Sequence, residues 1–420
     1  MAISVNGAAR PSAAIPTSPM RGTTCPACLM MAAGLSLSVH TSYGQDANER
    51  DMIGGEQVFS LDDVTVSEEF ATAETGGSSL WTDALANLRF NVDLVSRLGL
   101  SKERGKPGMF NTLGVDVHTV LGDAQGDWAT LLAQVHVARR DNAAPLPHHA
   151  EDDDDWELEF HEVHLTMTRW GRGRSNIRIG RQTVPYGLEQ TAETHLTLYQ
   201  TISHENLGLK RDWGIGVLGS LPKMEYAVAV TQASGHEYWN VGKNFALAGR
   251  LGTPSDRNLA VGASAFYGQV RTEHGIHRWR DGLGSPSRVD RVLRRSPDKG
   301  RGEDNLLRSL RVGVDFTYLW EAWTFKAELS AGRDYDQDVV NGLAEIAWAS
   351  ADESVYAYLQ GINLAHETAA GWDEDVLVRI GGACNLNAHV QVSAQYEQDI
   401  SVFGSRSRDA VFQFQWRVRF

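Results

Sequence analysis

Alternation of apolar and polar side chains is the dominant pattern of this sequence from about residue 88 to its end. Side chains on a β-strand point to opposite faces with a period of two, so each alternating stretch predicts a strand with one apolar and one polar face. In the stretch KMEYAVAVT, for example, Met224, Tyr226, Val228 and Val230 share the apolar face. The sixteen predicted strands are 88–98, 109–122, 127–139, 156–169, 174–182, 211–221, 223–233, 243–252, 257–271, 307–320, 322–333, 338–349, 354–364, 374–385, 388–398 and 409–420.

The predicted strands are long enough to cross a bilayer, because about 9 to 11 tilted residues span its apolar layer. Apart from the N-terminus, no apolar run approaches the roughly 18 residues that a membrane helix needs. Strands cross lipid only when they close into a barrel, since unpaired backbone groups in hydrocarbon cost several kcal/mol each. The pattern therefore predicts an all-β fold, a transmembrane antiparallel β-barrel of about sixteen strands.

Long and short connections alternate between the predicted strands. The long connections are 99–108, 140–155, 183–210, 234–242, 272–306, 334–337, 365–373 and 399–408, of which 334–337 is the weak member. Outer-membrane barrels have short turns on the periplasmic side and longer loops outside. We therefore expect the long connections to be extracellular and, because the strand number is even, both chain termini to be periplasmic.

The last stretch, AVFQFQWRVRF, ends the chain on an aromatic ring. Its alternation places Trp416 and Phe420 on the apolar face, so we expect Phe420 to face lipid at the periplasmic rim. A terminal aromatic strand of this kind resembles the signal by which the outer-membrane barrel assembly machinery selects its substrates. We interpret Phe420 and Trp416 as that assembly signal.

The N-terminus predicts delivery through the inner membrane. From Met20 the sequence has one Arg, a short apolar stretch and small residues before position 45, which predicts that 1–44 is a cleaved signal peptide, with Met20 as an alternative start. Residues 45–80 carry nine acidic residues and one Arg, and we interpret them as an acidic periplasmic lead segment. The domain that remains, 81–420, is the predicted transmembrane β-barrel.

Charge and cysteine content narrow the function further. Loss of the signal peptide removes Arg10 and Arg21 and no acid, so the mature chain carries 37 basic and 53 acidic residues, a net charge of −16. This balance argues against nucleic acid as a partner. Cys25 and Cys28 lie inside the predicted signal and lack the following His of a haem attachment site, which leaves Cys384 and no predicted cofactor.

Two stretches carry a family resemblance. GRQTVPYGLE at 180–189 resembles the phosphate-selective porin O and P family, and RDWGIGVLGSLPKMEYAVAVTQASG at 211–235 is similar to the hairpin that follows it there. The resemblance extends over about 110–270 and weakens beyond. It implies a sixteen-stranded porin in the Gram-negative outer membrane and a homotrimer. It does not by itself imply phosphate as the solute.

The polar strand faces carry charges of both signs, which is typical of a water-filled lumen. Alternation places seven cations and six acids on this side: Arg178, Arg250, Arg311, Lys326, Arg379, Arg417 and Arg419, and Asp116, Glu225, Asp315, Glu328, Asp375 and Glu397. Rings of Arg and Lys favour anions, so a phosphate-specific pore would need a clear excess of cations. The sequence leaves the choice between anions and cations open.

The connection 183–210 is predicted to fold back into the barrel. A sixteen-stranded barrel encloses a lumen too wide for side chains alone to fill. Pro185 and Gly187 favour a tight change of direction, and LTLYQTI carries apolar groups that suit water poorly. The predicted constriction residues, with those on the adjoining strand, are Arg178, Arg181, Glu189, Glu193, His195, His204, Glu205, Lys210 and Arg211. The competing interpretation is that LTLYQTI packs on a trimer neighbour.

Other charged and histidine-rich stretches have simpler explanations. Asp152–Asp155 could hold Ca²⁺ or bridge lipopolysaccharide, and the loop 271–301, with nine basic and four acidic residues, could contact lipopolysaccharide; a solvated surface loop explains both. His161 and His164 lie on EFHEVHL, where the alternation slips and a β-bulge is expected. We predict no metal site there.

The resulting hypothesis is an outer-membrane porin, a passive channel for small hydrophilic or ionic solutes. One alternative is a barrel sheath around a multihaem cytochrome in an electron conduit, with the acidic lead segment as a docking arm. The other is a barrel enzyme, but the chain has no G-x-S-x-G, H-E-x-x-H or P-loop motif, so catalysis is not predicted.

Overall fold

A computed structural model describes most of the region from residue 87 to the end of the chain. The described residues are 87–102, 107–123, 126–141, 156–170, 175–192, 194–234, 244–271, 306–334, 337–368, 371–402 and 408–420. The predicted signal peptide, the acidic lead segment, Asp152–Asp155 and nearly all of the basic loop 271–301 lie outside these ranges.

The described residues form the sixteen strands that the alternation predicts. The strands are β1 Arg89–Ser101, β2 Pro107–Asp123, β3 Gly126–Asp141, β4 Trp156–Trp170, β5 Ser175–Thr183, β6 Arg211–Leu221, β7 Met224–Thr231, β8 Phe245–Gly252, β9 Leu259–Arg271, β10 Leu306–Trp320, β11 Trp323–Asp334, β12 Gln337–Ala349, β13 Val355–Thr368, β14 Gly371–Asn387, β15 Val390–Ser401 and β16 Ala410–Arg419. Each strand pairs antiparallel with the next, and β16 pairs with β1, so the barrel is closed. No helix among these residues is long and apolar enough to span a bilayer.

Closure of the barrel extends to the last residue of the chain. Asp93 pairs with Arg419, and Leu94 with Val418, in the β1–β16 register. Beyond them the N–H of Val92 donates to the carbonyl of Phe420 at 2.9 Å, and the N–H of Phe420 donates back at 3.0 Å. The terminal residue therefore completes the seam.

The two faces of the barrel wall differ in polarity as the sequence predicts. On β10, Val312 and Val314 are more than half exposed on the outside, whereas Arg311 and Asp315 are buried on the inside. An exterior of exposed aliphatic and aromatic residues with a charged interior is the reverse of a soluble sheet, and it suits a wall that faces lipid. The terminal aromatics follow the same rule, because Trp416 and Phe420 are both exposed.

A β-bulge interrupts the β3–β4 ladder, which confirms the slip expected in EFHEVHL. Val135 pairs with Phe160 and Ala133 with Val163, so His161 and Glu162 together oppose one residue of β3. A bulge of this kind rotates the strand locally and changes where its side chains point. Around the bulge, strict alternation therefore no longer tells which side chains of β4 point into the lumen.

The connection between β5 and β6 packs inside the barrel, and we call residues 184–210 the inward segment. It contains a 3-10 helix, Gly187–Thr191, and the short helix α1, Ser203–Leu207. Its two ends meet where the N–H of Val184 donates to the carbonyl of Lys210 at 2.8 Å. The buried apolar clusters of the protein form between this segment and the inner wall.

Candidate functional site

The inward segment crosses the lumen from one wall to the other. It leaves the wall at β5, and the side-chain amide of Gln360 on β13 donates to the carbonyl of Gln200 at 3.1 Å. β5 and β13 are eight strands apart in a closed ring of sixteen, so they face each other across the barrel. A chain that touches both must span the diameter of the lumen.

Polar contacts hold α1 on the far wall. The side-chain oxygen of Asn206 accepts hydrogen bonds from Arg311 Nε at 3.2 Å and from Asn341 Nδ2 at 2.7 Å. Beside it, Glu205 lies 3.6 Å from a guanidinium nitrogen of Arg379. These groups are buried and cannot bond to bulk water. Each contact therefore replaces a hydrogen bond to water that the group loses on burial. Together they fix the helix against β10, β12 and β14.

Apolar contacts support the same wall. Leu188 and Ile202 of the inward segment belong to one buried cluster with strand residues whose side chains point into the barrel: Leu343, Ile362, Leu364 and Leu377. Nearby, the N–H of Leu188 donates to Glu328 Oε2 at 2.8 Å, and the N–H of Gly187 donates to Ser264 Oγ at 3.0 Å. Gly187 has φ +56 and a Cβ there would lie 2.2 Å from Glu328, so this turn requires glycine.

The tip of the inward segment, residues 195–197, meets the β16, β1, β2, β3 and β4 side of the wall. Leu196 packs in a buried cluster with Val95, Phe110 and Ala138. The three carbonyls of the tip accept hydrogen bonds from lumen-facing side chains, namely Arg417 to His195 at 3.3 Å, Gln415 to Leu196 at 2.8 Å and Arg97 to Thr197 at 3.2 Å. Leu196 has a positive φ of 53, a strained conformation for a branched residue that its neighbours hold in place.

An ion-pair network holds the segment together where it joins the wall. Glu189 lies 3.4 Å from Lys210 and 3.9 Å from Arg211, and it accepts hydrogen bonds from the hydroxyls of Thr194 and Thr201. Burial by itself raises the pKa of Glu189, but the charges of Lys210 and Arg211 and the two hydroxyls hold it below its usual range. Burial also lowers the pKa of Lys210, an effect that Glu189 opposes.

The predicted constriction residues divide between two walls. Arg178, Arg181 and Arg211 lie on β5 and β6 near the start of the segment, where Arg211 Nε is 3.5 Å from Glu162. Glu205, expected to face these arginines, instead pairs with Arg379 across the barrel, because α1 is docked on the far wall. Burial raises the pKa of Glu205, and Arg379 and Lys210 offset part of that effect.

The remaining predicted site residues are placed only in part. His195 is buried at the tip, whereas Glu193 and the side chain of His204 lie outside the part of the chain that the structure describes. Leu196, Leu198, Tyr199 and Ile202 of LTLYQTI are buried within this same chain, so they need no trimer neighbour to cover them. Their role in narrowing the pore stays a prediction.

Many lumen charges are paired with an opposite charge on the next strand or the next strand but one. Arg250 pairs with Asp315 at 2.5 Å, Arg311 with Asp334 at 2.7 Å, and Arg379 with Glu397 at 2.6 Å. The further pairs are Lys326 with Glu345 at 3.9 Å, Arg419 with Asp116 at 2.6 Å, and Arg417 with Asp93. The sequence predicts nearly equal numbers of cations and acids in the lumen, and the structure shows that many of them are also paired one to one. The pairing makes these cations less able to attract a highly charged anion.

Neutral amides are the contacts that sequence reasoning missed. Asn206, Gln360 and Gln415 each bond the inward segment to the wall. Alternation indicates that Gln360 and Gln415 face the lumen, but nothing in the sequence indicates their partners, which lie up to 219 residues away. His161 and His164 bond to Gln134 and Glu162, and the described residues contain no group of three or more His, Cys, Asp or Glu placed to hold a metal ion.

Comparison by sequence identifies no relative. No family model matches the chain, and no curated protein sequence matches it, so the resemblance to the phosphate-selective porin O and P family is not confirmed.

Comparison by structure does find similar proteins. OprB of Pseudomonas putida matches with a TM-score of 0.57 and 8% identity, covering 81% of this chain and 96% of OprB. OmpT of Vibrio cholerae matches with a TM-score of 0.52 and 11% identity, covering 79% of this chain and 97% of OmpT. An anion-selective porin from Comamonas acidovorans matches with a TM-score of 0.52 and 9% identity, covering 79% of this chain and 99% of that porin. At these identities the likeness establishes the fold alone, a closed β-barrel of the kind found in these outer-membrane proteins, built here from sixteen strands.

Proposed function

We propose that the protein is a porin of the Gram-negative outer membrane, a water-filled channel for passive diffusion of small hydrophilic or ionic solutes. The observation that carries the proposal is the inward segment, which crosses a closed barrel with a polar lumen and is tied to both walls. A segment in this position narrows the lumen, as a selective pore requires. The constriction is then formed by residues 184–210 with Arg178, Arg181 and Arg211.

The lumen charges favour a channel of weak selectivity. Because the buried arginines of β8, β10, β14 and β16 are paired with carboxylates, they offer no continuous ring of free positive charge. We therefore do not extend the proposal to phosphate, despite the resemblance at 180–189. Small uncharged and singly charged solutes are the class that this lumen fits.

The outer-membrane location, periplasmic termini and trimeric assembly belong to the same proposal. The exposed apolar exterior supports the membrane location, and a matching structure of Vibrio cholerae OmpT is described as a trimer form. The inward segment occupies space that an enclosed cytochrome would need, so the sheath alternative gains no support. Catalysis gains none either, since the lumen side chains described above serve to hold the segment.

Planar-bilayer recording of the purified protein tests the proposal. We expect steady single-channel conductance that scales with salt concentration, and a reversal potential in a salt gradient that shows a weak preference for one ion sign. Absence of open conductance from correctly folded barrels would refute the channel function. A reversal potential close to that of an ideal anion electrode would refute the assignment of weak selectivity.

A further inference from the structure

Three histidine side chains meet where the tip of the inward segment touches the wall. The ring of His195 stacks on the ring of His161 with centroids 3.5 Å apart and an angle of 23° between the planes. The ring of His136 lies 5.7 Å from His195. These residues come from the tip, β4 and β3, and we call them the histidine cluster. The β-bulge at His161 places that ring on the lumen side.

Hydrogen bonds fix which ring nitrogen of each wall histidine carries its proton. His161 Nδ1 lies 2.6 Å from the side-chain oxygen of Gln134, and His136 Nε2 lies 2.9 Å from a carboxylate oxygen of Glu159. Both contacts need the histidine nitrogen as the donor, which leaves His161 Nε2 and His136 Nδ1 as the ring nitrogens without a proton. His161 Nε2 is buried without a hydrogen-bond partner among the described residues, so a proton added there would have no acceptor.

The surrounding charges oppose protonation further. Arg417, Arg211 and Arg419 act on His195. Glu159 is the carboxylate bonded to the cluster, and Glu162 and Asp93 are engaged by Arg211 and Arg417. Burial, followed by the charges of His136 and the arginines, lowers the pKa of His195 well below its usual range. Once the tip is in water, His195 regains its ordinary pKa near 6.5.

We propose that the histidine cluster is a proton-operated latch, which holds the tip of the inward segment on the wall at neutral pH and releases it in acid. The released state binds more protons than the docked state, so its population rises as the pH falls through the ordinary histidine range. As cations, the stacked rings of His161 and His195 would also repel each other. The described contacts of the far anchor, at Asn206 and Leu188, are made by amide, guanidinium and aliphatic groups, so it keeps the rest of the segment in place. The effect of release on conductance rests on the proposed channel function, whereas release itself does not.

Thiol labelling measures release directly. In the mature protein with Cys384→Ser, Leu196→Cys places a single thiol at the buried tip, and Ser255→Cys places one in an exposed turn as the reference. Reaction with a dipyridyl disulfide is followed at about pH 7.5 and about pH 5, on either side of the ordinary histidine pKa. We expect the rate at 196 relative to 255 to rise about tenfold in acid. An unchanged ratio would overturn the latch.

Histidine variants give the matched controls. His161→Gln combined with His195→Gln keeps polar side chains that do not titrate, so the labelling ratio should stay low at both pH values. His118→Gln, on β2 and outside the histidine cluster, should leave the acid response intact. A response that survives the double variant, or disappears in the His118 variant, would assign release to other groups and overturn the proposal.

Bilayer recordings separate the latch from the channel. With both correct, acid raises the conductance of the native protein and not that of the double variant. Labelling that responds to acid in a barrel without conductance would support the latch and refute the channel function. Conductance with labelling that ignores pH would support the channel and refute the latch.

Discussion

Side-chain direction decides whether a single residue of the wall meets lipid or lumen. Val228 is 48% exposed on the outer face, and Thr324 lies on the lumen side of β11 beside Glu328 and Lys326. Val228→Arg should destabilise the barrel by about 2 to 4 kcal/mol if the residue is near the bilayer midplane. Thr324→Arg should fold normally and shift the reversal potential toward anions. Urea unfolding in lipid vesicles compares the two, and equal losses of stability would show that the faces are misassigned.

Glycine at position 180 is required by the backbone of the β4–β5 pair. Gly180 has φ +131, and a Cβ there would lie 2.2 Å from the carbonyl oxygen of Val163. Gly180→Ala should therefore cost about 2 to 4 kcal/mol, through strain and the shift of two paired strands. Gly361→Ala is the matched control, because a Cβ at 361 meets nothing within 4 Å. Equal unfolding midpoints for the two variants would contradict the prediction.

The sequence predicted residues of the wall better than residues of the lumen. Period-two alternation is local information, so it identified the outward Val228 and the irregularity at His161. The contact of His161 with His195 depends on where the tip of a distant connection comes to rest, and no local pattern contains that position.

At the scale of elements, the sequence indicated that the inward segment folds back but not where it docks. Pro185, Gly187 and the apolar LTLYQTI were local signals of a connection that avoids water. The docking site of α1 is carried by strands 105 residues or more further along, such as β10 with Arg311, and its height in the barrel is set by the register of the whole sheet. The expected meeting of Glu205 with the β5 arginines was wrong for that reason.

Replacement of the inward segment tests its role as an element. Substituting residues 190–205 by a Gly-Ser sequence of equal length removes the contacts of the tip and most of α1 while keeping the connection length. We expect markedly higher conductance from barrels that assemble normally, because the lumen loses the side chains that cross it. Deletion of 190–205 should act in the same direction. Unchanged conductance together with loss of the oligomer would instead support the trimer-contact interpretation.

At the scale of the whole molecule, sixteen strands close into a barrel through the seam between β1 and β16. Phe420 contributes both backbone hydrogen bonds to Val92 and an exposed ring that stacks on His389. The number of strands could be predicted because each strand carries its own alternation. The pairing of the first strand with the last follows from the need to leave no unpaired edge in lipid.

Removal of the terminal aromatic should abolish assembly of the whole barrel while synthesis continues. Deletion of Phe420 loses the ring and the two seam hydrogen bonds, whereas Phe420→Asp loses only the ring and adds a charge at the lipid surface. Phe420→Tyr keeps an aromatic ring and should assemble. The readout is the heat-modifiable barrel in outer-membrane fractions. Normal amounts from the aspartate variant would count against the terminal aromatic as an assembly signal.

The seam between β1 and β16 also has a consequence for the order of folding. Arg97 on β1 bonds Gln415 on β16 across 318 residues of chain, so this contact closes a loop that contains almost the entire barrel. Contacts between such distant residues form slowly, because the entropy of closure is lost before the contact is gained. Until β16 arrives, β1 presents an open edge to other chains. Gln415 and Arg417 also bind the tip of the inward segment, so the last strand to be synthesised completes the wall and the tip contact in one step.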